Sequence, residues 1–226
     1  MKKQVFAAAA ALAIAVSGAR AADLPVYQPP PAAVPAPAND WSGFYLGIHG
    51  GYGFGETDVS IPALAFAASY DIDGWLAGVQ AGYNIQSGMW LFGLEADIAY
   101  STIDGSFTSG GNFVQTMTTD IDWLATIRAR AGLHNDQWMP YVTGGIAFAD
   151  VDHTMTPAGV ATSDVLFGWT VGGGVEVMFD PKWTAKLEYL YVDLEDVDFA
   201  FAAAARAPGT FDDDFHVIRA GLNYHF

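Results

Sequence analysis

From Trp41 onward the chain falls into eight stretches in which apolar residues take every second position, and the last is the most regular. Within residues 215–226, Ile218, Ala220, Leu222, Tyr224 and Phe226 share one face, while Val217, Arg219, Gly221, Asn223 and His225 share the other. A period of two is the signature of a strand, and a tilted strand crosses the hydrocarbon core of a bilayer in about 9–11 residues. The first stretch sets Phe44, Leu46, Ile48 and Tyr52 against Tyr45, Gly47, His49 and Gly51. The second sets Trp75, Val79, Tyr83 and Ile85 against Gln80 and Asn84, and the third sets Trp90, Phe92, Leu94, Ile98 and Tyr100 against Glu95, Asp97 and Ser101. In the fourth, Ile121, Trp123, Ile127 and Leu133 are expected outward, with Asp122, Thr126, Arg128 and Arg130 inward. The fifth is weaker and carries Pro140 near its start. The sixth runs through Phe167, Trp169, Val171 and Val175 against Glu176, and the seventh through Trp183, Leu187 and Tyr189 against Lys186 and Glu188.

The connectors alternate in length. Tight turns are expected at Ser87-Gly88, at 134–137 and at Asp180-Pro181-Lys182, and long loops near 55–73, 104–119, 152–164 and 196–213. Short turns at one end and long loops at the other suit an outer-membrane barrel, with both chain ends on the periplasmic side. The tryptophans sort by end as well. Trp41, Trp90, Trp138 and Trp183 fall at the turn side, and Trp75, Trp123 and Trp169 at the loop side, as two interfacial girdles require. The expected fold is therefore all-β, an eight-stranded antiparallel transmembrane β-barrel over residues 41–226.

The N-terminus reads as a targeting segment. Lys2 and Lys3 precede an apolar run from Val5 to Val16, and Ala19-Arg20-Ala21 is a small-x-small cleavage site, so residues 1–21 are expected to be a signal peptide. Residues 22–40 are proline-rich and are expected to be an extended periplasmic linker, with a docking peptide as the alternative. No apolar run long enough for a transmembrane helix follows the signal peptide. The full chain carries a net charge of −16, and losing Lys2, Lys3 and Arg20 leaves the remainder more acidic still, which argues against nucleic acid as a partner. With no cysteine there is neither a disulfide framework nor thiol chemistry.

Alternation turns eight charged residues inward: Glu95, Asp97, Arg128, Arg130, Glu176, Lys186, Glu188 and Arg219. Simple hairpin registers put Glu95 opposite Arg128, Glu176 opposite Lys186 and Glu188 near Arg219. An eight-stranded barrel is just wide enough for side chains to fill, so these residues are expected to plug the lumen by ion pairing. Arginines beside Glu95 and Asp97 hold both ionised, which removes the pair from general-acid duty. His153, with Asp150, Asp152 and Ser163 nearby, is the remaining arrangement with catalytic residue types, but nothing in the sequence fixes a triad geometry. The other histidines lack metal-ligand spacing, and no cofactor is expected. The acidic clusters at 193–198 and 212–214 are expected to solubilise the loops, with divalent cations bridging to lipopolysaccharide phosphates as the alternative. The apolar stretch 200–205 between them is expected to pack on another loop or on lipid.

The mature start AADLPVY, the opening WSGFYLGIHGGYGF, the interior LFGLEADIAY and the ending AGLNYHF resemble the small outer-membrane "porin family" surface antigens of alpha-proteobacteria. Those belong with the OmpA transmembrane-domain and opacity-protein barrels. The resemblance implies residence in the bacterial outer membrane and insertion by the barrel-assembly machinery, with Phe226 as the assembly signal. It implies no catalytic residues. The function expected is structural: a plugged barrel that supports envelope integrity, contacts outer-membrane lipids and lipopolysaccharide, and presents acidic loops to extracellular ligands. The alternatives are a narrow porin-like channel for small solutes and, further off, a lipid-modifying enzyme.

Overall fold

The computed structural model describes residues 40–110, 114–135, 137–156, 159–201 and 207–226. The expected signal peptide and all of the linker but Asp40 lie outside them. Alternating apolar residues form nine antiparallel strands: β1 (Gly43–Ile61), β2 (Phe66–Ser87), β3 (Trp90–Thr108), β4 (Thr116–Leu133), β5 (Trp138–Thr156), β6 (Val160–Asp180), β7 (Trp183–Leu194), β8 (Val197–Phe201) and β9 (Ala207–His225). Each pairs with the next around a ring, and β9 closes it by pairing with β1 as well as β7. Closure leaves no edge in the membrane-crossing part, the condition for burying backbone in lipid. β7 and β8 share one position in the ring, since both pair with β9. Asp193 faces Asp214 and Val197 faces Phe211, so the β7–β8 side spends four steps where β9 spends three. That extra residue, at Glu195-Asp196, separates β7, the expected seventh stretch, from β8, which lies where a loop was expected.

The stretches expected as long loops are largely strand. β1 and β2 stay paired out to Ile61↔Phe66, leaving only a 3-10 turn, Pro62–Leu64, and Ala65 between them. β3 and β4 stay paired to Thr108↔Thr116, and β5 and β6 to Met155↔Val160. Apart from β7 and β8 the strands run 18 to 22 residues, about twice what the membrane needs. The polar composition of these stretches suggested loop, but their alternation continues with its faces exchanged. Toward the turn end apolar residues point out and polar ones in. Toward the loop end Val59, Ile61, Ile72, Ile103, Val151, Val192, Phe211 and Phe215 are buried inside, while Asp58, Asp71, Asp73, Asp104, Asp120 and Asp212 point out. Outside the hydrocarbon the physics is that of a soluble barrel: water outside, oil inside.

On β4 the exchange needs a bulge. Against β5, Ile121 pairs with Val151 and Trp123 with Asp150, so Asp122 is an extra residue. Both Asp122 and Trp123 consequently face outward, and Ile121, expected outward, is buried inside with 1% exposure. A bulge shifts every residue beyond it by one and so reverses the face.

Three tight turns close the other end. Gly88 takes a positive φ of 63° in the β2–β3 turn, and Lys182 N–H is held by Asp180 Oδ1 at 3.0 Å in the β6–β7 turn. Pro140 lies near the start of β5, one residue past the end of the β4–β5 ladder at Gly132↔Tyr141, where a proline is tolerated.

Candidate functional site

The interior is filled in three tiers. At the turn end Trp41, Leu91, Met139, Tyr141 and Met178 form a small apolar cluster. Trp41 was expected in the interfacial girdle. It is instead fully buried, with Nε1–H donating to Asn135 O at 3.3 Å and its ring edge against His225. Trp41 precedes β1, so no pleat obliges it to face lipid, and folding under the barrel buries a large apolar surface. Trp75, Trp90, Trp138, Trp169 and Trp183 are exposed on the outer wall, and Trp123 is half-buried there with its Nε1–H on Asp150.

The middle tier is ionic. Glu95, Asp97, Arg128, Arg130, Glu176, Lys186, Glu188 and Arg219 are all buried inside the ring, four acids against four bases. Glu95 is the hub. Its Oε1 accepts from Lys186 Nζ at 2.8 Å and from Arg128, and its Oε2 accepts from Tyr45 OH at 2.7 Å and lies 3.3 Å from Arg130. Arg128 spreads its fork over three carboxylates, adding Asp97 at 3.1 Å and Glu188 at 2.9 Å. Arg219 holds Asp97 at 2.9 Å and Glu188 at 2.6 Å. The registers match those expected, with Glu95↔Arg128, Glu176↔Lys186 and Glu188↔Arg219 opposite one another. One partnership differs. Glu176 binds Arg130, Thr184 and Asn223, while Lys186 reaches across the lumen to Glu95 and lies 3.8 Å from Glu188 on its own strand. Register fixes where a side chain starts, and a long flexible lysine then goes to the site where two carboxylates converge.

Alternation placed Tyr45 and Thr126 on the inner face beside the charged members without showing that they complete the hydrogen bonds, and it did not single out Tyr141. Tyr45 donates to Glu95 and accepts from Arg130, Tyr141 donates to Glu188, and Thr126 donates to Asp97 at 2.6 Å. Arg130 also lies 4.4 Å over the Tyr141 ring. Room for these side chains comes from inward glycines: a Cβ on Gly47 would collide with the Asn223 amide, and one on Gly82 with the Tyr45 ring.

The third tier, toward the loop end, is the main apolar core with one polar knot in it. His153 Nδ1 is 2.9 Å from Thr119 Oγ1, its Nε2 faces Asp213 Oδ2 at 3.1 Å, and Asp213 Oδ1 accepts from Thr57 at 2.6 Å. Tyr70 OH is 2.7 Å from Thr119 Oγ1, and burial pushes this phenol up to about 12. His153 was read with Ser163 as a loop-edge pair. Strand pairing separates them instead: His153 points inward with 1% exposure, whereas Ser163 sits exposed on the outer wall. An Asp–His–Thr string does exist here, but Thr119 is fully buried and shared with Tyr70, so no substrate reaches its hydroxyl.

Outside this tier the wall is acidic. Asp73 lies opposite Asp104, Asp104 opposite Asp120, and Asp120 opposite Asp152; Glu56 lies opposite both Asp71 and Asp214. The expected cluster 212–214 is split by alternation, with Asp213 inward and its neighbours outward. Burial, then the charges of Asp104, Asp122 and Asp152, raise the Asp120 carboxyl above the usual range. Burial, then Asp196, Asp193, Asp214 and Asp58, do the same for Asp212. Most of the apolar stretch 200–205 lies outside the described residues.

Comparison with known proteins agrees with this architecture. The family model for the outer membrane protein beta-barrel domain matches residues 6–226. The 31 kDa outer-membrane immunogenic protein of Brucella melitensis is 34% identical over 252 residues, covering 100% of each chain. The 22 kDa outer membrane protein of Rhizobium leguminosarum bv. viciae is 32% identical over 202 residues, 84% of this chain and 80% of that one. Among solved structures, OprG from Pseudomonas aeruginosa superposes with a TM-score of 0.57 at 13% identity, over 82% of this chain and 97% of that one, a likeness of fold. With a closed antiparallel ring, an apolar outer band and relatives named for the outer membrane, this chain belongs to the outer membrane protein β-barrel domain family and resides in the bacterial outer membrane.

Proposed function

We propose that the protein is a non-enzymatic, non-conducting barrel that supports the envelope mechanically and presents an acidic outer wall to the cell exterior. The observation that carries this reading is the filled interior. A small apolar cluster, a charge-balanced network and a larger apolar core lie one above another, and each tier opposes ion passage for a different reason. An ion entering the middle tier must displace partners that already satisfy one another, and in the apolar tiers it meets nothing to replace its hydration. The non-enzymatic part rests on the polar knot at Thr119 and His153, which has the residue types of a hydrolase and no access. Relatives named as immunogenic surface proteins are consistent with an exposed, non-catalytic role.

Single-channel recording of the refolded chain in a planar bilayer, with insertion verified separately, tests the reading. Inserted protein is expected to remain electrically silent. Reproducible conductance steps would overturn the filled-lumen reading in favour of a narrow pore for small solutes.

A further inference from the structure

The wall toward the loop end is not uniformly sealed. β6 is 21 residues long and β7 only 12, so the ladder joining them begins at Gly168↔Leu194. One further bond, Glu195 N–H to Phe167 O at 2.8 Å, ends the pairing. Beyond it the ring position belongs to β8, which pairs with β9. Among the described residues no ladder joins β8 to residues 160–167 of β6, so the barrel has a vertical seam there. Behind the seam stand Leu166, Val197 and Phe199, all buried.

The polar knot lies where it can close that seam from inside. β5 and β9 are the strands that flank β6 and β8, and across the lumen His153 Nε2 of β5 comes within 3.1 Å of Asp213 Oδ2 of β9, a close polar approach without hydrogen-bond alignment. The His153 ring also stacks on Phe211 at 4.2 Å with an interplanar angle of 6°, and Phe211 packs on Phe199 at 4.7 Å. One side chain of β5 is thus tied to β9 by a polar contact and to β8 through a two-ring stack. Among the described residues the other neighbouring strands are held by backbone ladders up to the loop end, save that β2 and β3 have none beyond Asp73↔Asp104, where the Tyr70 ring stacks on Phe107 at 6.4 Å.

We propose that His153, Asp213, Phe211 and Phe199 form a latch that holds shut a lateral seam between β6 and β8, making this sector the part of the barrel that opens first. The latch spans β5, β9 and β8, and its remaining polar neighbours, Thr119, Thr57 and Tyr70, come from β4, β1 and β2. Opening brings buried apolar surface to the outer wall above the lipid, so the seam is a side door into the apolar tier and not into the ionic one.

Hydrogen exchange on the full chain in lipid nanodiscs tests this. In the wild type, the alternate amides of residues 160–167 that face β8 are expected to exchange at least roughly tenfold faster than amides of the β1–β2 ladder at the same height. Asp213→Asn, which keeps shape and removes the charge, and His153→Gln are each expected to raise exchange in 160–167 and 197–201 about tenfold or more, with β1–β4 unchanged. Equal protection of seam and ladder amides in the wild type overturns the seam. A uniform rise over the whole barrel in both variants, or no rise in either, overturns the latch. Should one variant fail to insert, the wild-type comparison and the other variant still decide.

Discussion

Glu95 shows how one residue comes to hold a lumen together. Its two oxygens meet Arg128, Lys186, Tyr45 and Arg130 within a space that excludes water, so each partner depends on it for compensation. Neutralising it leaves four buried cations, Arg219 at 3.7 Å among them, short of a carboxylate, and removal of one member of a buried ion pair costs about 3–5 kcal/mol. Glu95→Gln is accordingly expected to lower stability by that order, read as a shifted urea midpoint for unfolding from detergent micelles. Lys186→Met is expected to cost less, because Glu95 retains Arg128 and Arg130. The tryptophans divide in the same residue-by-residue way. Brominated lipids are expected to quench Trp75, Trp90, Trp138, Trp169 and Trp183 and to leave Trp41 bright, measured with single-tryptophan variants.

At the scale of the strand, the unit of information is the alternation, and it carried most of the ring. The Glu176↔Lys186 register follows from the tight β6–β7 turn, whereas Glu95↔Arg128 and Glu188↔Arg219 lie across long loop-end connectors and matched simple hairpin registers all the same. It broke at Asp122, where one inserted residue reverses β4 and nothing local announces it. Deleting Asp122 is expected to leave a regular strand with Ile121 still inward and Asp120 outward, so the heat-modifiable folded band on gels is expected to persist. Alternation was also set aside too early. Polar residues at 55–73 and 104–119 suggested loop, yet they are strand with the opposite face apolar, because the solvent outside changes from lipid to water partway up. His153 and Ser163 were misplaced for that reason, and the latch was invisible, since it depends on β7 being shorter than β6. Acidic pairing across these upper strands has its own pH signature. A carboxyl raised in the folded state binds protons there more readily than in the unfolded chain, so stability falls as pH rises through the raised value. The loop-end half is expected to become more exchange-protected on acidification just above the usual aspartate range, and Asp120→Asn to flatten that response.

For the whole molecule, the arrangement is a barrel cut into zones by the medium around it. Where lipid surrounds it, oil faces out and ions pair within. Where water surrounds it, the same chain turns inside out without interrupting its backbone ladder. The expected consequence is two unfolding steps, with exchange in the loop-end extensions preceding exchange between the tryptophan rings. The charges of the ionic tier cancel, four against four, and contribute no net charge. Much of the surplus negative charge therefore sits as a collar just above the outer tryptophans, on Asp73, Asp104, Asp120 and Asp152 and on Glu56, Asp71 and Asp214. Two such collars approaching in the plane of the membrane repel one another over a screening length of about 8 Å at physiological ionic strength. How densely these barrels crowd is thus set by the electrolyte above the membrane: dilute medium spreads them apart, and salt lets them draw together.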